Sequence, residues 1–279
     1  MQQKIEEIIN RTLDIASHYK IVGKVVKVLE NEFATMDELQ DILSRDKGFT
    51  ARFLRIANSP YYGMSRKIKT VKEAIILLGV NTAKSLILST SLIYLFKKMD
   101  SFEQKLWQHG LAVGISASLL ANITELATPE ESLSCGILHD IGKVLLNNAM
   151  PDVYPKIYEK YHDTKKSSIE LENEILGINH VEVGVAIAEK WNFPELIKDT
   201  IKYHHYVKCA SNGNDSESKN ICKLIRVSDQ ICNELGYGLK KPEVERLEEE
   251  FDADKKIIQE IRKNISFQLN QEMQSLMKE

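Results

Sequence analysis

TPEESLSCGILHDIGKVLL, residues 128–146, decides the fold class and raises the functional question. Thr128 precedes Glu131 by three residues. In that spacing each side chain can reach the other's backbone N–H at a helix start, and Pro129 fits the first helical position because its missing N–H would have no helical partner. Thr35 with Glu38, Thr70 with Glu73 and Ser167 with Glu170 repeat the pattern, each ahead of apolar residues three and four apart. Alternating strand patterns are scarce, so the expectation is an all-α protein. The same periodicity predicts helices at about 3–19, 21–31, 36–45, 49–57, 71–78, 81–97, 102–126, 130–139, 142–148, 152–163, 168–176, 180–191, 194–204, 219–235, 242–250 and 253–276. Inside the opening stretch, Ile137, Leu138, Ile141, Val144, Leu145 and Leu146 read as core, whereas His139 and Asp140 do not. An unpaired carboxylate in an apolar site is strongly disfavoured, so this pair needs partners from elsewhere in the chain.

The 279 residues, 43% of them hydrophobic, suffice for one large or two small domains with a real core. A formal net charge of −3 argues against a nucleic-acid binder held by bulk electrostatics. The short basic stretches RKIK (66–69) and YLFKKM (94–99) read as solvated faces. None of Cys135, Cys209, Cys222 and Cys232 forms a C-x-x-C pair, and all but Cys209 lie in apolar helical patterns, as reduced core cysteines do. With a charged amphipathic N-terminus and no apolar run approaching about 18 residues, the expectation is a cytoplasmic protein without a membrane span. The polar stretch CASNGNDSESKN (209–220) predicts an exposed loop, and a shift near 98–102 predicts a subdomain boundary.

Several polar residues fall in apolar stripes. His109 lies in the Phe102, Leu106, Val113, Ala117, Leu120 face, as either a ligand or a core histidine bonded to backbone. Asp229 shares a face with Cys222, Ile225 and Cys232 and is expected to aim at the core, where it needs a cation or several donors. His204 and His205 follow Ile201 by three and four residues, so both can turn inward; the alternative is an exposed helix end that favours cations. His180 opens a helix, where the positive end keeps imidazole neutral, unless Asn179 is a plain cap and His180 a bystander. A metal centre gives all of them one purpose. Imidazole and carboxylate without thiolate suit divalent transition metals. His139 and Asp140, about 100° apart if they share a helix, can straddle one ion or bridge to a second.

His109, the His139-Asp140 pair and Asp229 resemble the H…HD…D signature of HD-domain metal-dependent phosphohydrolases. His180 and His204-His205 resemble the extra histidines of the dinuclear HD-GYP branch of cyclic-di-nucleotide phosphodiesterases. DKGFTARFLRIANSPYYG (46–63), IKTVKEAIILLGVNTAKSLIL (68–88), LWQHGLAVG (106–114) and HVEVGVAIAEKWNFP (180–194) are similar to the HDOD family of bacterial signalling proteins. The resemblance implies an all-α fold with an N-terminal helical subdomain packed on an HD-type helical core. It divides the chain into an extension at 1–19, the N-terminal subdomain at 20–98, the metal-site core at 99–240 and C-terminal helices at 241–279. It implies a metal site of His109, His139, Asp140, His180, His204, His205 and Asp229, holding one or two divalent ions. Iron or manganese is expected first, with Mg, Ni or Zn as alternatives. Lys143 in HDIGK matches a position that contacts substrate phosphate in related hydrolases; otherwise it is an ordinary solvated lysine.

Two functions follow as expectations. The first is a regulatory protein acting through a ligand, with a nucleotide as candidate, or through a signalling partner such as a response-regulator or cyclic-di-nucleotide-handling module. Arg52, Arg55 and Asn58 are then structural or partner-facing. The second is an active phosphohydrolase on nucleotides, with Asp140 and Lys143 as catalytic residues. Tyr206 stands where the HD-GYP branch carries Glu, and GYG (236–238) lies beyond Asp229. Slow or absent cyclic-di-GMP hydrolysis is therefore expected.

Overall fold

The structure, a computed structural model, describes residues 2–13, 35, 38, 40, 47–58, 62, 66–91, 95–96, 100–161, 164, 166–206, 216–239, 262–271 and 273. Among them the chain is all-α, without a strand. The helices are α1 (Gln2–Leu13), α2 (Lys47–Ala57), α3 (Val71–Leu78), α4 (Val80–Ser91), α5 (Ser101–Thr124), α6 (Pro129–Leu138), α7 (Ile141–Ala149), α8 (Tyr154–Tyr161), α9 (Ser168–Leu176), α10 (His180–Lys190), α11 (Glu195–Tyr203) and α12 (Ser216–Glu234). A further helix, α13, spans 262–271. The helices expected at 21–31 and 242–250, most of that at 36–45, and Cys209 lie outside the described residues.

Local chemistry starts these helices as read. At α9 the Ser167 N–H donates to Glu170 at 2.7 Å and the Glu170 N–H donates back to the Ser167 hydroxyl at 3.2 Å. Thr35 and Glu38 exchange the same pair of bonds, at 2.9 and 3.2 Å. Thr70 and Thr128 cap α3 and α6 through the N–H of Glu73 and Glu131. Asn179 and Glu182 form an additional full box at α10.

The long α5 is the axis, with α6 and α12 packed along it. Closeness at α5–α6 requires glycine: a Cβ on Gly136 would stand 2.6 Å from the Gly114 Cα. At the α7–α10 crossing a Cβ on Gly142 would stand 1.8 Å from the His180 carbonyl oxygen. Leu138, Leu145, Ile187, Ile201 and Ile225 are completely buried between these helices. α1 lies on α7 and α10, while α2 and α3 pack on α4, which packs on α6. Asn58 holds the end of α2 to the next segment, donating to the Ile68 carbonyl at 2.9 Å and accepting from the Ile68 N–H at 2.7 Å.

Three expectations are corrected. His139 and Asp140 do not share one helix: Asp140, at φ −106 and ψ 19, sits in the turn between α6 and α7, so the two side chains spread around one point instead of lying on one helical face. α12 begins at Ser216, inside the stretch expected as loop, because Ser218 is buried and Asn220 donates to the Leu126 carbonyl at 3.0 Å. The helix expected to reach 97 does not continue to Phe96, which is no longer helical, and residues 92–94 between it and α4 lie outside the described residues. Cys135, Cys222 and Cys232 are free and buried, as expected, and burial pushes the Cys135 and Cys222 thiols up to about 12.

Candidate metal centre

The fold gathers all seven residues from five helix segments. His109 comes from the middle of α5, His139 and Asp140 from the α6–α7 turn, His180 from the start of α10, His204 and His205 from the end of α11, and Asp229 from α12. They form two groups: Asp140, His180, His204 and His205, and His109, His139 and Asp229. Within each group one ligand atom per residue lies within 4.8 Å of the others. Asp140 stands between them. Its Oδ2 is 3.5 Å from His109 Nε2 and 3.3 Å from His139 Nε2, and its Oδ1 is 3.5 Å from His180 Nε2 and 3.6 Å from His204 Nε2.

Four of the histidines are oriented alike. The Nδ1 of His109 faces the Tyr237 carbonyl at 3.2 Å, and that of His139 the Gly136 carbonyl at 2.6 Å. The Nδ1 of His204 faces the Ile201 carbonyl at 3.0 Å, and that of His180 faces Glu172 Oε2 at 2.7 Å. A carbonyl only accepts, and an ionised carboxylate likewise, so each Nδ1 carries a proton and each ring turns its Nε2 toward the cluster. His180 Nε2 and His205 Nε2 approach to 2.9 Å. Asp140 Oδ1 and His204 Nε2 are buried with no hydrogen-bond partner. Buried polar atoms are normally satisfied, so a pair of orphans facing one point marks a place for a ligand.

The electrostatics divide along the same line. Burial alone would lower His109, but hydrogen bonds with Asp140 and Asp229 overcome it and raise the ring to about 9. Burial alone would raise Asp140, but the charges of His139 and Lys143 hold it well below the usual carboxylate range. Asp229 is held near 2, its burial outweighed by the hydrogen bond and charge of His109. On the other side, burial lowers His204, and burial with the neighbouring His204 and His180 rings lowers His205 well below its usual range. Neutral imidazoles beside ionised carboxylates are the donor state that a divalent cation requires.

The alternatives left open by the sequence resolve individually. His109 is both bonded to backbone and turned to the cluster. Asn179 caps α10 while His180 still faces the centre. Lys143 is not solvated: only 7% exposed, it places Nζ 2.5 Å from Asp140 Oδ2 and 5.9 Å from the Tyr158 ring centre. Asp229, on the same face of α12 as the buried Ile225 and Cys232, turns toward His109, its Oδ1 3.1 Å from Nε2, but lies at the cluster's rim and not in its depth: its side chain is 34% exposed and is braced by Asn233 Nδ2 at 2.9 Å. Tyr206 is 59% exposed.

Sequence reasoning missed Glu172. It is completely buried on α9, and its Oε2 accepts from both the His180 backbone N–H and Nδ1–H at 2.7 Å. Its Oε1 accepts the Tyr154 hydroxyl at 2.7 Å. A carboxylate behind a ligating histidine fixes the ring's tautomer and raises its basicity. The available signal was Glu172 standing four residues after Ser168 and four before Leu176, which are buried with it.

The HDOD domain family model matches residues 15–207, which include every cluster residue except Asp229. An uncharacterized protein of Treponema pallidum (strain Nichols) is 26% identical over 199 residues, 71% of this chain and 39% of its own length. The matched part of this chain thus spans about two-fifths of that relative. A candidate phosphohydrolase from Shewanella amazonensis SB2B shares the fold at TM-score 0.74 and 22% identity, over 97% of both chains. A candidate signal transduction protein from Marinobacter aquaeolei VT8 shares it at TM-score 0.71 and 20% identity, over 93% of this chain and 59% of that one. Among the described residues no helix is long and apolar enough to cross a membrane. With a family match over more than two-thirds of its length and an all-helical fold among the described residues, the chain belongs to the HDOD family.

Proposed function

We propose that this chain is a regulatory protein of bacterial signal transduction that holds one or two divalent metal ions, iron or manganese before others, and acts mainly by binding a ligand or partner. The observation that carries the reading is the common orientation of His109, His139, His180 and His204, each with Nδ1–H given to an acceptor behind it and Nε2 turned to Asp140. Four histidines packed as ordinary core residues have no reason to share that direction. Asp140, His180, His204 and His205 would hold one ion, and His109, His139 and Asp229 a second, with Asp140 placed to bridge. A bound ion would supply Lewis acidity and a fixed positive charge. The donors are nitrogen and oxygen, as iron and manganese accept. Helices within 20–98 carry the partner contacts and 99–240 the metal core. A role in signalling agrees with the name of the Marinobacter relative.

A second reading, a phosphohydrolase acting on nucleotides, is favoured by the ammonium of Lys143 beside Asp140. That ammonium is committed to Asp140 and buried under Tyr158, so it steadies the carboxylate before it can steady a phosphate. One experiment separates the two: elemental analysis of protein purified without chelator, with turnover assayed on cyclic di- and mononucleotides and nucleoside phosphates. Bound metal without turnover supports the regulatory reading. Turnover abolished by Asp140→Asn replaces it with the hydrolase, and no metal uptake on titration ends both.

A further inference from the structure

A cleft of about 740 Å³, sharing no residue with the metal centre, opens between α2 and the segment that leads into α3. One wall is a face of α2, where Leu54, Arg55 and Asn58 follow Ala51 by three, four and seven residues. The other is the 66–69 segment. Asn58 ties the walls together through its two bonds with Ile68, at 2.9 and 2.7 Å, so the cleft is built before any ligand arrives. Its lining carries four cations, Arg55, Arg66, Lys67 and Lys69, and among the described residues no carboxylate. Residues 47–72 hold seven Lys or Arg and no Asp or Glu, in a chain whose net charge is −3. Glu73, the next acid along the chain, is already in use: it pairs with Arg66 at 3.2 Å and accepts the Lys69 backbone N–H at 2.9 Å. Such an exposed pair is weak, and the Arg66 side chain is 71% exposed, so its charge still contributes to the cleft. Lys67, Lys69 and Lys72 are exposed and make no ion pair with a described residue. Past the rim the surface turns apolar. α3 buries Val71, Ala74 and Ile75 and turns Lys72, Ile76 and Leu77 outward. Ile76 is 61% exposed, Leu77 38% and, just beyond the Gly79 turn, Val80 37%. Adjoining exposed aliphatic side chains with charge at their edge mark an interaction surface.

We infer that the basic cleft and the outward face of α3 form one docking surface for an acidic, amphipathic segment of a partner protein. Carboxylates of the segment enter among Arg55, Arg66, Lys67 and Lys69, and its apolar side chains cover Ile76, Leu77 and Val80. The shape and chemistry favour a protein segment over other polyanions. A bilayer is flat, whereas these cations line a concavity. Nucleic acid would bring phosphates to the cations, but Ile76, Leu77 and Val80 are aliphatic and give its bases no ring to stack on. A small phosphate ligand would occupy the cleft and leave the apolar strip uncovered. The inference rests on the regulatory reading for its assignment of partner contacts to helices within 20–98, and it needs no metal.

The test follows, by fluorescence anisotropy, the binding of a labelled peptide to the purified full chain. The peptide has leucines at helical spacing with glutamates between them. Two control peptides divide its chemistry: glutamine for glutamate removes the charge, and serine for leucine removes the apolar contact. Saturable binding of the parent peptide is expected, with each control weaker by about tenfold or more. The double variant Lys67→Glu, Lys69→Glu should weaken binding by about tenfold at low salt and by less at high salt. Ile76→Ser should weaken it by about tenfold at both. All three positions are exposed, so thermal unfolding of the variants should match the parent. No saturable binding, or binding that either variant leaves unchanged, overturns the surface. Capture of the chain by phosphatidylglycerol vesicles or by single-stranded RNA, lost in the variants while the peptide fails to bind, overturns the protein partner in favour of that polyanion. A dimer of the parent chain that both variants dissociate makes a second copy the occupant and overturns it likewise. Manganese uptake is titrated separately: uptake without peptide binding strikes this surface alone, and peptide binding without uptake strikes the metal reading and leaves the surface standing.

Discussion

Glu172→Gln should weaken metal binding without unfolding the protein, and the structure sets the scale of the effect. Glu172 takes three hydrogen bonds at 2.7 Å: two on Oε2 from His180 and one on Oε1 from Tyr154. Glutamine keeps the volume and one carbonyl oxygen for the His180 donors, and its amide can donate to the Tyr154 oxygen, so the one group that loses its acceptor is the neutral Tyr154 O–H. What disappears is the negative charge behind the His180 ring. Removing such a support weakens metal binding by about 10–100-fold, or ~1.4–2.7 kcal/mol. Tyr154→Phe removes only a neutral donor from the far oxygen and should have a smaller effect, about 1 kcal/mol. The assay is competitive titration of manganese against a chelator, with thermal unfolding of the metal-free proteins as the fold control. Equal affinities for the parent and the Gln variant, both folded, would refute the reasoning that Glu172 acts through His180.

Other outcomes follow from the same geometry. Metal uptake near pH 7.5 should release about one proton per protein, because His109, raised to about 9, is protonated in the metal-free state and must give up its Nε2 proton; calorimetry in buffers of different ionisation enthalpy reads this, and a buffer-independent heat would refute it. His204 and His205 have lowered values in the fold, so the unfolded chain binds more protons below its ordinary 6.5 and the metal-free protein should lose stability as pH falls through that value. His109 has the opposite sign: its contribution is complete below 6.5 and is lost as pH rises through about 9. Denaturant midpoints across pH 5–9 would show a maximum between these limbs. Gly142→Ala should destabilise by more than the usual ~1–3 kcal/mol of overpacking, since its Cβ would stand 1.8 Å from a backbone oxygen and not a pliable side chain; a midpoint unchanged in urea would contradict the required α7–α10 contact. Cyclic-di-GMP turnover should be slow or absent, Tyr206 being exposed and unsuited at neutral pH to act as a carboxylate; repeated turnovers abolished by Asp140→Asn would overturn this.

What the sequence determined by itself was local or periodic. Ser167 and Glu170, or Thr35 and Glu38, satisfy each other's backbone within one helical turn, so helix starts are legible wherever the pair stands. His109, His180, His204 and His205 could be chosen because a polar residue in an apolar stripe is conspicuous. Only the tertiary structure decided how those residues meet. Asp140 proved to sit in a turn that lets its two oxygens face opposite groups, and Asp229 lies at the rim of the centre, not in its depth. Glu172 looks like a solvated charge on α9, and Lys143 in HDIGK reads as a phosphate contact or a solvated lysine, yet both are buried. Their burial depends on partners distant in the chain or folded back across a turn: His180 and Tyr154 for one, Asp140 and Tyr158 for the other. A carboxylate and an ammonium are costly to bury alone and tolerable when paired. Their place in the core is therefore a property of the assembled helices, absent from the short-range pattern that starts and spaces them.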